Sequence, residues 1–124
     1  MVIPRRKSII EQKADAFSDR IVLMYKHLIT NNIENVIASQ VYRSGTSIGA
    51  NVAESQNAQS DADFISKLSI ALKEADETLY WLKKLHTGGY ITEMQYISME
   101  TDNVEVIKIL TSIIKSKKKN MGLL

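Results

Sequence analysis

The sequence predicts an all-α protein, folded as an up-down-up-down antiparallel four-helix bundle. Four segments place apolar residues three or four positions apart, the spacing that puts them on one face of a helix. No segment keeps the two-residue alternation of a strand, and hairpin turn signals are missing. The one proline, Pro4, precedes all four segments. Connections of about two to six residues then favour antiparallel neighbours.

The first predicted helix covers about residues 6–31, and its pattern stops at Asn31 and Asn32. The residues that carry the pattern are Ile10, Ala14, Phe17, Ile21, Met24 and Leu28. The second predicted helix covers about residues 34–58 and contains YRSGTSIGANVAES, a run rich in small residues. A Walker-type phosphate loop would need a Gly-Lys-Ser/Thr sequence, but Gly49 is followed by Ala50 and Asn51. The apolar positions instead continue through the run, at Ile37, Val41, Ile48 and Val52, with Ser44 on the same face.

Gly45 and Gly49 lie four residues apart and therefore share one face of the second helix. A glycine inside a helix costs about 0.5–1 kcal/mol relative to alanine, so the pair indicates a close approach between helices. Ser44, Asn51 and Ser55 lie close to the same seam, where buried hydroxyl and amide groups must be hydrogen-bonded. We interpret the run as tight helix packing with polar cross-links, and not as a catalytic loop.

The third and fourth predicted helices cover about residues 61–87 and 93–117, with a basic tail at 115–120. Ser60 with Asp63 resembles an N-cap with an acidic third position, and Thr92 with Gln95 fits a capping box. The glycines at 88–89 favour the left-handed conformation that closes a helix. The third pattern runs through Phe64, Leu68, Ala71, Ala75, Thr78, Leu82 and Leu85, and the fourth includes Ile97, Val104, Ile107 and Ile114.

The chain of 124 residues fits a single domain, residues 1–124. It contains no cysteine, which excludes disulfides and thiolate metal sites. No apolar run approaches the ~18 residues that indicate a membrane span, and the basic N-terminal stretch lacks the apolar run of a signal peptide. We therefore expect a cytoplasmic protein with no membrane partner.

The formal net charge of +2 is unevenly distributed along the chain. All 14 acidic residues lie between Glu11 and Glu105, so residues 8–114 carry a net charge of −5 and the two ends carry +7. In an antiparallel bundle of four helices, both ends of the chain lie at one end of the molecule. We predict that the two basic runs form one patch that contacts nucleic-acid phosphates, the alternative being a solubilising tail. The patch residues are Arg5, Arg6, Lys7, Lys115, Lys117, Lys118 and Lys119.

Two segments resemble the four-helix-bundle family of 23S rRNA intervening-sequence proteins. The first runs from Arg43 to Glu54, RSGTSIGANVAE, and the second from Lys73 to Leu82, KEADETLYWL, with Phe64 and Ala71 between them. The family comprises small bacterial proteins, some encoded inside insertions in 23S rRNA genes. It includes the accessory variability determinant of diversity-generating retroelements.

The resemblance implies four antiparallel helices, a ring-shaped homopentamer and nucleic-acid binding. For the retroelement branch it also implies association with a reverse transcriptase. Those accessory proteins are generally strongly basic, whereas the body of this chain is acidic, which weighs against the reverse-transcriptase role. The broad apolar coverage of the third and fourth helices supports oligomerisation independently. In the fourth helix it consists of Val104, Val106, Ile107, Ile109, Leu110, Ile113 and Ile114.

The sequence does not indicate enzymatic chemistry. Di-iron sites in helical bundles use Glu-x-x-His, and neither His27 nor His86 has an acidic residue three positions before it. The acidic cluster at 74–77 is interpreted as a solvated or interface-bridging face, with Lys73 able to pair with Glu77 four residues on. We predict no catalytic residue, no metal and no cofactor.

Arg43 and Glu54 lie eleven residues apart and project from the same side of the second helix. We expect each to pair with a neighbouring helix or subunit, and we assign both residues, together with Glu77, to packing.

Two functions remain open. The first is a non-enzymatic, oligomeric protein that binds nucleic acid through its basic chain ends with weak sequence specificity. RNA is favoured over DNA as the ligand. The second is a protein-interaction scaffold or accessory subunit, for example of a reverse transcriptase, with no direct nucleic-acid role.

Overall fold

The computed structural model describes residues 6–124, which form four α-helices and, within that range, no β-strand. Helix α1 spans Ile9–Thr30, α2 spans Val36–Ser55, α3 spans Asp61–Thr87 and α4 spans Glu93–Asn120. Each helix packs against the next one along the chain, and α4 also contacts α1. The all-α class is therefore confirmed, and the arrangement is that of a four-helix bundle.

Helices α1, α3 and α4 start at side-chain caps, whereas Asn35, the N-cap residue of α2, makes no side-chain cap hydrogen bond. Helix α1 begins at Ile9 because Ser8 is its N-cap, with Ser8 Oγ accepting from the Glu11 amide (3.4 Å) and the Glu11 carboxylate accepting from the Ser8 amide (2.9 Å). The Ser-x-x-Glu spacing that produces this cap was a usable signal in the sequence. The caps predicted at Ser60 and Thr92 are both formed.

Helix α4 continues to Asn120, so residues 115–120 are its last turns and not a tail. Basic residues are favoured there because the last carbonyl groups carry partial negative charge. The helix closes where the Leu123 amide donates to the Lys118 carbonyl oxygen (2.9 Å) and Gly122 adopts a φ of 75°. The lysines near the end of the chain are consequently fixed on particular faces of a helix.

The core lies between the four helices and is almost entirely apolar. Its largest fully buried side chains include Phe17, Ile21, Ile48, Leu68, Leu82 and Leu110. Four polar residues are buried with them, namely Ser44, Ser55, Thr78 and Asn103. Within residues 6–124, none of the helices combines the length and the apolar character needed to cross a membrane.

Candidate nucleic-acid interface

The small-residue run of α2 packs against α1 at its two glycines. A Cβ atom added at Gly45 would lie 2.8 Å from Cγ1 and 2.9 Å from Cγ2 of the buried Ile21 side chain. At Gly49 it would lie 3.5 Å from the Ser18 Cβ and 3.6 Å from the Ala14 carbonyl oxygen, which are ordinary contact distances. The close helix approach that the sequence predicts therefore lies at Gly45, whereas Gly49 leaves room for a methyl group.

A buried pair of hydroxyl groups forms a polar cross-link between α2 and α3. Thr78 Oγ1 donates to Ser44 Oγ (2.8 Å), and Ser44 Oγ donates in turn to the Gln40 carbonyl oxygen (2.9 Å). Asn51 and Ser55, expected at the same seam, bond instead to carbonyl groups of their own helix, at 2.8 Å and 2.6 Å. Short polar side chains on a helix commonly bond to the carbonyl group three or four residues earlier, and among residues 6–124 neither of these two forms a bond to another helix.

The acidic residues of the third helix are held by an arginine from α2. Arg43 forms an ion pair with Glu77, and its Nη1 lies 3.5 Å from Glu74 Oε2. Glu77 Oε2 also accepts a hydrogen bond from Trp81 Nε1 (3.3 Å). The predicted pairing of Glu77 with Lys73 is replaced by this inter-helix pair, which includes Glu74 but not the exposed Asp76. Other ion pairs between helices join Glu54 to Lys67 (3.1 Å), Arg20 to Asp102 (2.6 Å) and Lys13 to Glu105 (3.0 Å).

The predicted basic patch at the end of the bundle is divided between two sides. Lys117 turns toward α3, where its Nζ lies 2.9 Å from Asp61 Oδ1 and 5.5 Å from the centroid of the Phe64 ring. Lys7 pairs with Asp15 of α1 (3.2 Å) on the side that faces α2. Arg6 is exposed, Lys118 is half-buried and Arg5 lies outside the described residues. These contacts differ from the single patch that the sequence predicts.

A different set of lysines lines the outer face of α4. Lys115 and Lys119 are four residues apart, and Lys108 precedes Lys115 by seven, so all three project from one side of the helix. Each is exposed. Within residues 6–124 none of the three has an ion-pair partner. We call these three residues the α4 lysine row. Sequence reasoning missed Lys108, although its seven-residue spacing from Lys115 was visible.

An apolar cleft of about 520 Å³ lies between α1 and α4. Its walls include Leu23, Met24, Leu28, Ile91, Met94 and Met99, with Arg20 and His27 also lining it. Leu23 is 66% exposed and Met94 is 81% exposed. The seven apolar residues of α4 that suggested an interface are instead buried or half-buried within the chain itself. The exposed apolar surface of the cleft was not predicted, whereas Ile70 and Tyr80, which are 40% and 51% exposed, lie on α3, for which broad apolar coverage was predicted.

His86 of α3 contacts Tyr96 of α4, which in turn contacts Glu100. His86 stacks on Tyr96, with ring centroids 4.7 Å apart, and the Tyr96 hydroxyl donates to the Glu100 carboxylate. The pKa of Tyr96 is raised to about 12, chiefly by burial and then by the hydrogen bond and the charge of Glu100. No group of three histidine or carboxylate side chains within residues 6–124 is placed to hold a metal ion.

Comparison with known proteins places this fold in a family. The family model described as 23S rRNA-intervening sequence protein matches residues 6–112. The chain belongs to this family. The crystal structure of a protein of unknown function from the S23 ribosomal protein family of Bacteroides thetaiotaomicron VPI-5482 is similar, with a TM-score of 0.85 and 52% identity. The similarity covers 86% of this chain and 96% of that one. No curated protein matches the chain significantly.

The match to the 23S rRNA-intervening sequence family covers the helix seams but not the whole lysine row. Gly45, the Arg43–Glu77 pair and Lys108 lie inside residues 6–112, whereas Lys115 and Lys119 lie beyond them. Membership in the family thus accounts for the fold and its seams. The lysines after residue 112 have to be interpreted from their own geometry.

Proposed function

We propose that this protein is a non-enzymatic, oligomeric RNA-binding protein that contacts the RNA backbone through the α4 lysine row. The observation that carries the proposal is the alignment of Lys108, Lys115 and Lys119 on one exposed face, without acidic partners among residues 6–124. Unpaired ammonium groups neutralise phosphates and release condensed counterions. The rise of 1.5 Å per helical residue spaces the three lysines by about 10 Å and about 6 Å.

RNA is favoured over DNA because the family description names a 23S rRNA intervening sequence. The row contains no aromatic side chain on which an unpaired base would stack, so binding is weakly sequence-specific and sensitive to salt. The family resemblance supports a ring of five copies. In such a ring the row would be repeated, and each copy after the first would bind at a raised effective concentration.

The test is the binding of a generic RNA to variants that differ only in which lysine is removed. Lys115→Gln with Lys119→Gln removes two charges from the row and is expected to weaken binding by about tenfold or more at low salt. The matched comparison is Lys119→Gln alone against Lys117→Gln, because each removes one charge from the end of α4 and the Lys117 side chain faces Asp61. Equal affinities of the double variant and the wild type, or no binding at low salt, would contradict the proposal.

A second candidate function, a protein-interaction scaffold, is favoured by the cleft between α1 and α4. Its exposed leucine and methionine side chains are of the kind that receive an apolar partner surface. Leu23→Asp places a charge at the edge of this cleft. If it abolishes self-association or partner binding while the wild type binds no RNA at low salt, the scaffold function is favoured.

A further inference from the structure

Resting on the proposed RNA-binding function, we propose that α3 supplies a second row of the interface and that the ligand is duplex RNA. The two rows together form what we call the α3–α4 basic face, made of Lys73 and Lys84 of α3 with the α4 lysine row. All five lysines are exposed. The chain ends, which carry the charge in the sequence, supply only part of this face.

The α3 row repeats the spacing of the α4 row. Lys73, Tyr80 and Lys84 are separated by seven and four residues, as are the three lysines of α4, so they share one face of α3. Lys73 has no ion-pair partner within residues 6–124, and Lys84 Nζ lies 5.0 Å from the centroid of the Tyr80 ring. Two α3 acids near this row, Glu74 and Glu77, are held by Arg43 at the α2 seam, which leaves Asp76 as an exposed acid beside it.

The register between α3 and α4 sets the two rows at overlapping levels along the bundle. Three contacts fix that register, and they set Lys73 within about one helical turn of the level of Lys108. The contacts are His86 on Tyr96 with centroids 4.7 Å apart, Asn103 Nδ2 to the Ala75 carbonyl oxygen at 3.3 Å, and Lys117 Nζ to Asp61 Oδ1 at 2.9 Å.

The size of the face fits a double helix. The distance along the bundle from the level of Lys84 to that of Lys119 is about 35 Å at 1.5 Å per residue, comparable with roughly ten base pairs of a duplex. Packed helix axes lie about 8–10 Å apart, so the face offers two parallel lines of positive charge. A duplex presents two phosphate strands to such a face, whereas a single strand presents one.

The aromatic residues argue against a single-stranded ligand. Proteins that bind single strands stack successive bases on exposed aromatic rings. Among residues 6–124, Tyr80 is the one exposed aromatic residue, and Lys84 lies over its ring. The face instead carries hydroxyl groups beside its lysines, at Ser69 and Thr111, which suit the phosphates and 2′-hydroxyls through which proteins contact duplex RNA.

Removal of the negative charge of Asp76 should change the RNA affinity in the opposite direction to removal of a lysine. Asp76 is exposed on α3 between Lys73 and Tyr80 and has no ion-pair partner among the described residues. A carboxylate in this position repels phosphates. Asp76→Asn should therefore tighten duplex binding, a result that general damage to the fold cannot produce.

The experiment compares a duplex RNA of about 20 base pairs with one of its own strands, both at low salt and with the full-length protein. We expect the duplex to bind about tenfold tighter. Lys73→Gln with Lys84→Gln should weaken duplex binding several-fold, and Asp76→Asn should strengthen it. Lys26→Gln, which removes an exposed lysine of α1, is the matched control and should change nothing.

Equal or tighter binding of the single strand would overturn the duplex assignment, and wild-type affinity of the Lys73/Lys84 variant would overturn the role of α3. Either result leaves the proposed function intact if the Lys115/Lys119 variant still loses affinity. If the wild-type protein binds neither RNA at low salt, the proposed function itself is wrong. Failure of the duplex proposal and failure of the proposed function therefore give different results.

Discussion

At the scale of single residues, the two glycines of α2 differ in what they permit. A Cβ atom at Gly45 would lie within 3.0 Å of three side-chain carbon atoms of Ile21. Ile21 is fully buried and is branched at Cβ. That side chain has few other rotamers available. At Gly49 the nearest atoms stand at normal contact distance. The sequence predicts the same role for both glycines. They differ because the α1 side chains that face them lie at different distances.

Gly45→Ala should destabilise the protein by about 1–3 kcal/mol because the added methyl group overpacks the α1–α2 seam. Gly49→Ala is the matched control. It should leave stability unchanged or raise it by up to about 1 kcal/mol, since alanine favours the helix. Urea unfolding of both variants measures the difference. Equal stability of the two would show that the close approach at Gly45 does not constrain the fold.

Asn103 is fully buried between α4 and α3, and its Oδ1 has no hydrogen-bond partner among residues 6–124. An unsatisfied buried polar atom costs about 1–3 kcal/mol, while the one bond that Asn103 makes, to the Ala75 carbonyl oxygen, is long at 3.3 Å. Leucine has nearly the same shape. Asn103→Leu should therefore raise the free energy of unfolding by about 1 kcal/mol. A loss of stability would mean that the amide has a partner that the packing does not reveal.

Tyr96 should make stability depend on pH in the alkaline range. Its pKa is about 12 in the folded protein against 10.0 for an unperturbed tyrosine, chiefly through burial and then through Glu100. The folded state therefore holds the phenol proton more tightly than the unfolded chain. This contribution is complete below about pH 10 and is lost as the pH rises through about 12. Subtracting the ultraviolet titration of Tyr96→Phe from that of wild type should give a midpoint near 12, and a midpoint near 10 would contradict this assignment.

At the scale of helices, local patterns predict most of the fold. The apolar periodicity identifies all four helices, and the caps at Ser60 and Thr92 fix where α3 and α4 begin. The glycine pair was less predictable: Gly89 adopts the left-handed conformation with a φ of 74°, whereas Gly88 has a φ of −77°. The distinction arises because one left-handed residue suffices to close a helix.

Contacts between helices could not be predicted in the same way. Each successive residue turns by about 100° around a helix, so neighbouring lysines such as Lys117 and Lys119 face different surroundings. Their directions follow only once α4 is known to continue to Asn120. The choice of Arg43 over Lys73 as the partner of Glu77 depends likewise on the register between α2 and α3.

The cap of α4 provides a test at this scale. Thr92→Ala removes the hydroxyl that accepts from the Gln95 amide (3.1 Å) and should cost about 1 kcal/mol. Thr101→Ala is the control, because this exposed threonine lies within the same helix and bonds only to the Ile97 carbonyl oxygen. It should be neutral or slightly stabilising. If thermal unfolding shows the same midpoint for both, the cap does not determine the start of α4.

At the scale of the whole molecule, charge and apolar surface are separated. Several acidic residues form ion pairs between helices of the bundle, at the seams between α1 and α4 and between α2 and α3. Exposed lysines without an ion-pair partner among residues 6–124 lie on the outside of α3 and α4, and Lys26 is a further example on α1. The apolar cleft lies on another side, between α1 and α4. This separation would allow self-association and RNA binding to use different surfaces.

The measurement that tests the central claim most directly is the salt dependence of RNA binding by the wild type and by the variant with Lys108, Lys115 and Lys119 all changed to Gln. Each phosphate contact adds about 0.7–0.9 to the magnitude of the slope of log K against log salt. The account predicts that the triple variant reduces this magnitude by about two to three per protein chain, whereas Lys117→Gln leaves it unchanged. An identical slope for the triple variant and the wild type would show that the α4 lysine row does not contact phosphates.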